Sequence, residues 1–182
     1  RRETVVRCWA DQVHTRLGFE AIASGDRRLA ALSVLNRVLG VGAASRLFQR
    51  LREGEGLTYD IWSALVLRRP GGLLEIGWAC APVAFTDALR LVREEVARIS
   101  NDLGEDEVAA AKEGLLRGLE MDMEAPAGLC SLEVGEVLER GRRFEPETAR
   151  REIAAVAGRD DETMPRPTRR MRFTFAGDPA RA

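Results

Sequence analysis

"SRLFQRLREGEGLTYDIWS", residues 45–63, changes its period halfway along. Leu47, Phe48 and Leu51 recur at helical spacing behind Ser45, a residue able to cap a helix, which predicts a short helix with those three side chains inward. Gly54 and Gly56 supply a flexible exit. From Leu57 the run "LTYDIWSALVL" is rich in β-branched and aromatic residues and reads as a strand. A helix therefore ends near Arg52 and a strand begins near Leu57, with Tyr59, the only tyrosine, just inside it. A second strand-like run, "GLLEIGWACA", follows "RRPGG". Pro70 before two glycines is turn chemistry, so the two runs are expected to pair as an antiparallel hairpin.

Upstream, Thr4–Ala21 carries β-branched and aromatic residues, and Val13, Thr15, Leu17 and Phe19 alternate with polar or small neighbours, a period of two that predicts strand. Asp26 is positioned to cap the next helix, whose apolar residues run from Leu29 to Leu39 before Gly40 and Gly42 break it. Downstream of Pro82, Phe85, Leu89, Val92, Val96, Ile99 and Leu103 define one helical face. A second long helix is expected from about Glu105, with Val108, Ala111, Leu115, Leu119 and Met123 inward, interrupted by Pro126 and Gly128. A third runs from about Leu129 to Arg140, and Pro146 opens a fourth that carries Ile153 and Val156. "RMRFTFAG" reads as a closing strand, and "GRDDETMPRPTRRM" before it as a loop. Strands, then helices, then a strand make an α+β arrangement: an antiparallel sheet with helices packed on one face, in a single domain spanning 1–182.

The totals exclude several classes. A net charge of −1 does not supply the positive surface of a nucleic-acid binder. No apolar run approaches the about 20 residues that span a bilayer, so no membrane partner is expected. Lys112 is the only lysine among 28 basic residues, so nearly all the positive charge is guanidinium. Cys8, Cys80 and Cys130 are odd in number and far apart, which fits buried reduced thiols in a cytoplasmic protein better than a disulfide framework. The start lacks both an initiator Met and a signal-peptide pattern, as expected of an excised or processed piece.

Most chemical candidates have a plainer explanation. His14 is the only histidine, and no H-E-x-x-H, H-x-x-E-H or C-x-x-C occurs, so a catalytic zinc site is not expected in this chain. A strand histidine with an ordinary hydrogen bond is the simpler reading. No G-x-S-x-G elbow points to a serine nucleophile. "GVGAAS", residues 40–45, lacks the Walker lysine and reads as a helix-to-helix turn. The carboxylates of "NDLGEDEVAAAKEG" complement a helix N-terminus, and "PRPTRRMR" reads as a solvated loop. Arg52 and Tyr59 remain. If the glycines fold the chain back, both donors reach one sheet edge, where they would bind peptide carbonyls or an oxygen gaining charge. Alternatively, the arginine serves its own helix C-terminus and the tyrosine is half-buried in the sheet. The residues alone leave both readings open.

Residues 45–63 resemble the S-R-L-F-x-x-[LV]-R-E-x-x-G-L-x-Y-x-[VI]-x-S signature in the non-zinc half of the pitrilysin/insulinase-type metallopeptidases, a family that includes mitochondrial processing peptidase and small bacterial zinc proteases. "VHTRLGFEA", "LAALSVLNRVLG", "GGLLEIGWACAP", "ALRLVREEV", "EDEVAAAKEGLLRGLE" and "VLERGRRFEPETARREIAAV" agree in order, so the similarity runs from about Val13 to Val156, with "FTFAGDPA" similar to the closing strand. The resemblance implies the metallohydrolase fold of the processing-peptidase type and a clamshell of two similar domains. One carries H-x-x-E-H and zinc; the other supplies an arginine and a tyrosine, here Arg52 and Tyr59. It further implies that this chain holds no cofactor of its own, that zinc sits on a homologous partner domain or subunit, and that an unfolded peptide is bound as an added strand. Alone the chain is expected to be inactive; the other expectation is a non-catalytic peptide-binding or scaffolding subunit. Two departures stand out: proline-bearing "DDETMPRPTRRM" replaces a helix usual before the last strand, and the zinc-bearing half is absent.

Overall fold

Alternation and helical spacing produce the expected layers. The computed structural model describes residues 2–6, 11–157 and 171–176. Two strands, β1 (Arg2–Val6) and β2 (Val13–Ala21), precede helix α1 (Leu29–Gly40) and a helical segment whose main part is Phe48–Gly54. The hairpin β3 (Thr58–Arg68) and β4 (Gly71–Cys80) follows. Next come α2 (Phe85–Asp102), α3 (Glu105–Glu124), α4 (Pro126–Gly135) with a wide turn at Glu136–Arg140, α5 (Pro146–Ala154) and β5 (Met171–Ala176). No helix among the described residues is long and apolar enough to cross a membrane.

The strands form one sheet in the order β1-β5-β2-β4-β3. Pairing is antiparallel from β5 to β3. The closing strand inserts between β1 and β2, so β1 runs parallel to it at the far edge. In β2, Val13, Thr15, Leu17 and Phe19 lie opposite Cys80, Trp78, Ile76 and Leu74 of β4, all of them buried. Ile61 and Ser63 of β3 extend the same face. The alternate residues His14, Arg16, Asp60 and Val66 are exposed on the other side, where Arg16 stacks 4.2 Å over the Trp62 ring.

Helices cover only the apolar face. Leu32, Leu35 and Leu39 of α1 and Leu91, Val92 and Ile99 of α2 join the strand residues in one cluster. Each fully buried aliphatic side chain of this kind stabilises by about 1.5–3 kcal/mol. Helix α1 approaches β3 so closely that a Cβ on Gly40 would sit 2.6 Å from the Ser63 hydroxyl and 2.8 Å from the Ser63 nitrogen. The Ser63 hydroxyl donates to the Asn36 carbonyl at 3.1 Å, closing the same seam.

Local expectations need three corrections. Asp26 does not cap α1; its carboxylate accepts the Arg28 N–H at 2.9 Å and pairs with the Arg28 guanidinium, which pulls its pKa down to about 2. The helix itself starts three residues later, at Leu29. Ser45 also fails as a cap, because its hydroxyl donates backwards to the Gly42 carbonyl at 2.7 Å. The predicted strand of residues 4–21 resolves into β1 and β2. Pro126 interrupts the helical run as expected: α3 stops at Glu124, and the proline opens α4, where its missing N–H costs nothing. The proposed loop at 158–170 and Cys8 lie outside the described residues.

Gly40→Ala is expected to lower stability by about 1–3 kcal/mol, because backbone of β3 stands where the methyl must go. Urea unfolding followed by circular dichroism checks this; an unchanged midpoint would contradict the tight α1–β3 seam.

Candidate functional site

Residues 46–58 fold into an unusual helix exit. Ordinary α-helical turns give way to five-residue closure, shown by the Glu55 N–H donating to the Arg50 carbonyl at 3.1 Å. The last turn is wider still, with the Leu57 N–H on the Leu51 carbonyl at 2.9 Å. Such widened turns are rare and concentrate at functional sites. Gly56, at φ +61°, takes the left-handed conformation that reverses the chain into β3.

Strand β3 then starts on a bulge. Thr58 pairs with Cys80 and Asp60 with Ala79, the next residue back along β4, so Tyr59 is the extra residue on its strand. Bulges re-aim a side chain, and Tyr59 is 78% exposed. The buried Thr58 hydroxyl anchors this kink, within hydrogen-bond distance of the carbonyls of Ala79 (2.5 Å) and Asp60 (2.7 Å).

The wide helix and the bulge bring the predicted pair together. The Arg52 guanidinium carbon lies 4.8 Å from the Tyr59 ring centroid and 4.7 Å from that of Phe48. Phe48, expected simply to face inward, is half-buried and offers its ring to the cation. Stacking engages the flat faces of the guanidinium and leaves its N–H edge. Among the described residues its one ion pair is a 3.8 Å contact with Glu53. Tyr59 is exposed rather than half-buried in the sheet, while Arg52, in the last turn of its helix, stacks both on Phe48 of that helix and across the turn on Tyr59. Because β3 is an edge strand of the sheet, the pair stands where a backbone edge is also available.

Two further arginines fix the helix that presents Arg52, and no local signal marked them. Arg46 donates to Asp102 Oδ1 (2.5 Å), to the Asp102 carbonyl (2.9 Å) and to both oxygens of Glu107 (2.7 and 2.5 Å). The bond donated to Glu107 is the largest cause holding the Arg46 pKa above the usual arginine range. In return Arg46 pulls Asp102 and Glu107 below the usual carboxylate range. Arg50 pairs with Glu95, which is 4% exposed, and with Glu94 at 2.7 Å. Glu107 also accepts the Gly104 N–H at the start of α3, so one carboxylate serves helix end and clamp together.

The other candidates do not gather. His14 is exposed on the outer sheet face. Cys80 is buried, and burial pushes its thiol pKa up, away from reactivity. A cleft of about 510 Å³ between α1, α3 and α5 contains Arg140 and Arg142, but Glu136 and Glu152 already answer both. Among the described residues no group of three or more His, Cys, Asp or Glu is placed to hold a metal ion.

Comparison with known proteins follows the same outline. The family model described as the peptidase M16 inactive domain matches residues 2–115. An uncharacterized zinc protease of Mycobacterium tuberculosis is 35% identical over 156 residues, which make up 85% of this chain and 36% of that protein. Cytochrome b-c1 complex subunit 2 of Rattus norvegicus is 27% identical over 157 residues, 81% of this chain and 35% of the relative. The chain thus spans about a third of the length of the curated relatives it matches. A solved peptidase M16 inactive domain from Pseudomonas fluorescens superposes with a TM-score of 0.78 at 21% identity, over 97% of this chain and 44% of that one, and so shares its fold.

Asp102 and Glu107 have lowered pKa values, so the stability they add is present above their unfolded values near 4 and is lost as pH falls through the folded ones. Urea midpoints should therefore be level from about pH 7 to 5 and fall below about pH 4, and Arg46→Met should flatten that fall. Arg50→Met leaves the buried Glu95 with only Arg98 at 3.5 Å and is expected to cost about 2–3 kcal/mol. Arg117→Met, which alters only the exposed pair with Glu113, should leave the midpoint in place; equal effects would contradict the clamp.

Proposed function

The chain belongs to the family of peptidase M16 inactive domains, and from that membership we propose that it is the non-zinc half of a zinc metalloendopeptidase. It binds an extended peptide and stabilises the transition state in trans to a homologous domain bearing H-x-x-E-H. The observation that carries this reading is the Arg52 guanidinium stacked on an exposed, bulge-mounted Tyr59 beside an edge strand.

The steps assigned to this chain need only its own groups. The free edge of β3 offers backbone N–H and C=O groups to an unfolded peptide, which adds as a strand. The Tyr59 hydroxyl and the Arg52 N–H edge then donate to carbonyl oxygens of the bound backbone. A donor set beforehand at the oxygen that gains negative charge is worth more in the transition state than in the ground state, and that difference is catalysis. Phe48 and Tyr59 hold the guanidinium plane, so little rotamer freedom is lost when the substrate arrives. Zinc, which would activate the attacking water, is assigned to the homologous domain, this chain being of the inactive-domain type. The relatives named as zinc proteases support that division. The assembly is a clamshell of two similar domains, and this chain alone is inactive.

Similarity to a cytochrome b-c1 complex subunit favours a second reading, a scaffolding subunit without catalysis. Here the Arg52–Tyr59 pair would remain as a peptide clip or as structure.

Reconstituted with a homologous H-x-x-E-H domain, the chain should support zinc-dependent cleavage of an unstructured fluorogenic peptide. Arg52→Ala and Tyr59→Phe should each lower kcat/KM by about ten- to a thousand-fold. Tyr59→Phe keeps the stacked ring and removes only the hydroxyl. Unchanged kinetics in both variants, or no chelator-sensitive cleavage, would favour the scaffold. Elemental analysis of the purified chain alone should find no stoichiometric zinc.

A further inference from the structure

Helix α4 combines an apolar sequence with the absence of any buried residue. Neither α4 nor the wide turn after it contains a buried residue. Yet Ala127, Cys130, Val134, Val137 and Leu138 follow one another at steps of three, four, three and one, the spacing of a helix-docking seam. All five are exposed, Val134 to 54% and Leu138 to 62%. Scattered apolar side chains on a surface are ordinary; a stripe along one helix face is not. The polar flank of the stripe is already satisfied within the chain. Glu133 accepts from the Phe144 N–H at 2.9 Å and from Arg143 at 3.1 Å, and Glu136 takes Arg142 at 2.9 Å. The opposite side of the helix, at Gly128 and Leu132, is half-buried toward α3, so the stripe is the side left open.

We propose that the Cys130–Val134–Val137–Leu138 face of α4 and its following turn is the docking surface for the homologous zinc-bearing domain. The inference rests on the reading of this chain as one half of an assembly. The occupant is argued from length: this chain matches 36% of the mycobacterial relative and 44% of the solved Pseudomonas chain, so more than half of each lies outside the matched part. In such proteins the remaining polypeptide is held beside this domain at high effective concentration, which a second copy of the domain is not. Cover from that side gives α4 the burial it lacks. The apolar stripe drives association, and the internally paired Glu133 and Glu136 form its rim.

Cys130 sits in the stripe and reports its cover directly. In a Cys8→Ser background, with Cys80 buried, maleimide labelling of Cys130 is followed in the chain alone and in its assembly with a homologous H-x-x-E-H domain. Labelling at Cys130 should be at least about tenfold slower in the assembly, as expected when a side chain leaves the surface. Val134→Glu with Leu138→Glu should weaken association at least about a hundredfold, read by sedimentation. Both positions are exposed, so the variant's unchanged thermal melt separates lost docking from lost folding. Undiminished labelling in a formed assembly, or no assembly at all, overturns the proposal. So does slow labelling of the chain alone, whether independent of concentration or growing with it as a second copy would cause. Peptide cleavage is measured separately: cleavage with Cys130 still reactive defeats the docking surface and spares the function, and protection without cleavage does the reverse.

Discussion

A helix that is buried on one side and ion-paired on another has few directions left for its remaining side chains. Leu47 and Leu51 are fully buried against the core, and Arg46 and Arg50 reach across to the carboxylates of α2 and α3. Arg52 is thereby sent toward the start of β3. Burial of Glu95 makes this bracing stringent, because a carboxylate removed from water is tolerated only with its partner in place. Everything proposed for Arg52 depends on that constraint, since among the described residues the guanidinium is anchored directly only by two aromatic rings and a long contact with Glu53.

The strand side answers with a matching irregularity. One extra residue at Tyr59 turns a phenol that a regular register would commit to one sheet face toward the stacked cation. The wide helical turns and the bulge each give up regular hydrogen bonding, and both occur within a dozen residues of each other. Irregularities that cost stability persist where a geometry is needed, and here they converge on one pair of donors. The division of labour follows from the chemistry. Donors that stabilise a charged oxygen need rigidity and an open approach; they do not need the metal, so they can stand on a separate domain.

The surfaces are as uneven as the backbone. One sheet face is sealed by helices, while the other presents Arg16 stacked on Trp62 among exposed polar residues. Helix α4 is apolar in sequence yet has no buried residue.

Much of this was legible in the chain itself, because period is a near-neighbour property. Alternation of Val13, Thr15, Leu17 and Phe19, the helical spacing downstream of Pro82, and Pro70 before two glycines identified the strands, helices and hairpin without any distant contact. The motif of residues 45–63 singled out Arg52 and Tyr59 through resemblance. Capping was misread at Asp26 and Ser45, since a short polar side chain has several backbone partners within reach and only the folded turn selects one. What tertiary structure alone decided was the insertion of β5 between β1 and β2, the bulge that aims Tyr59, the Phe48 ring beneath Arg52, and the clamps of Arg46 on Glu107 and Arg50 on Glu95. Those clamps join residues 61 and 45 positions apart. A guanidinium carries no mark of which distant carboxylate will face it, and that choice is made only when helices and sheet close on a common core.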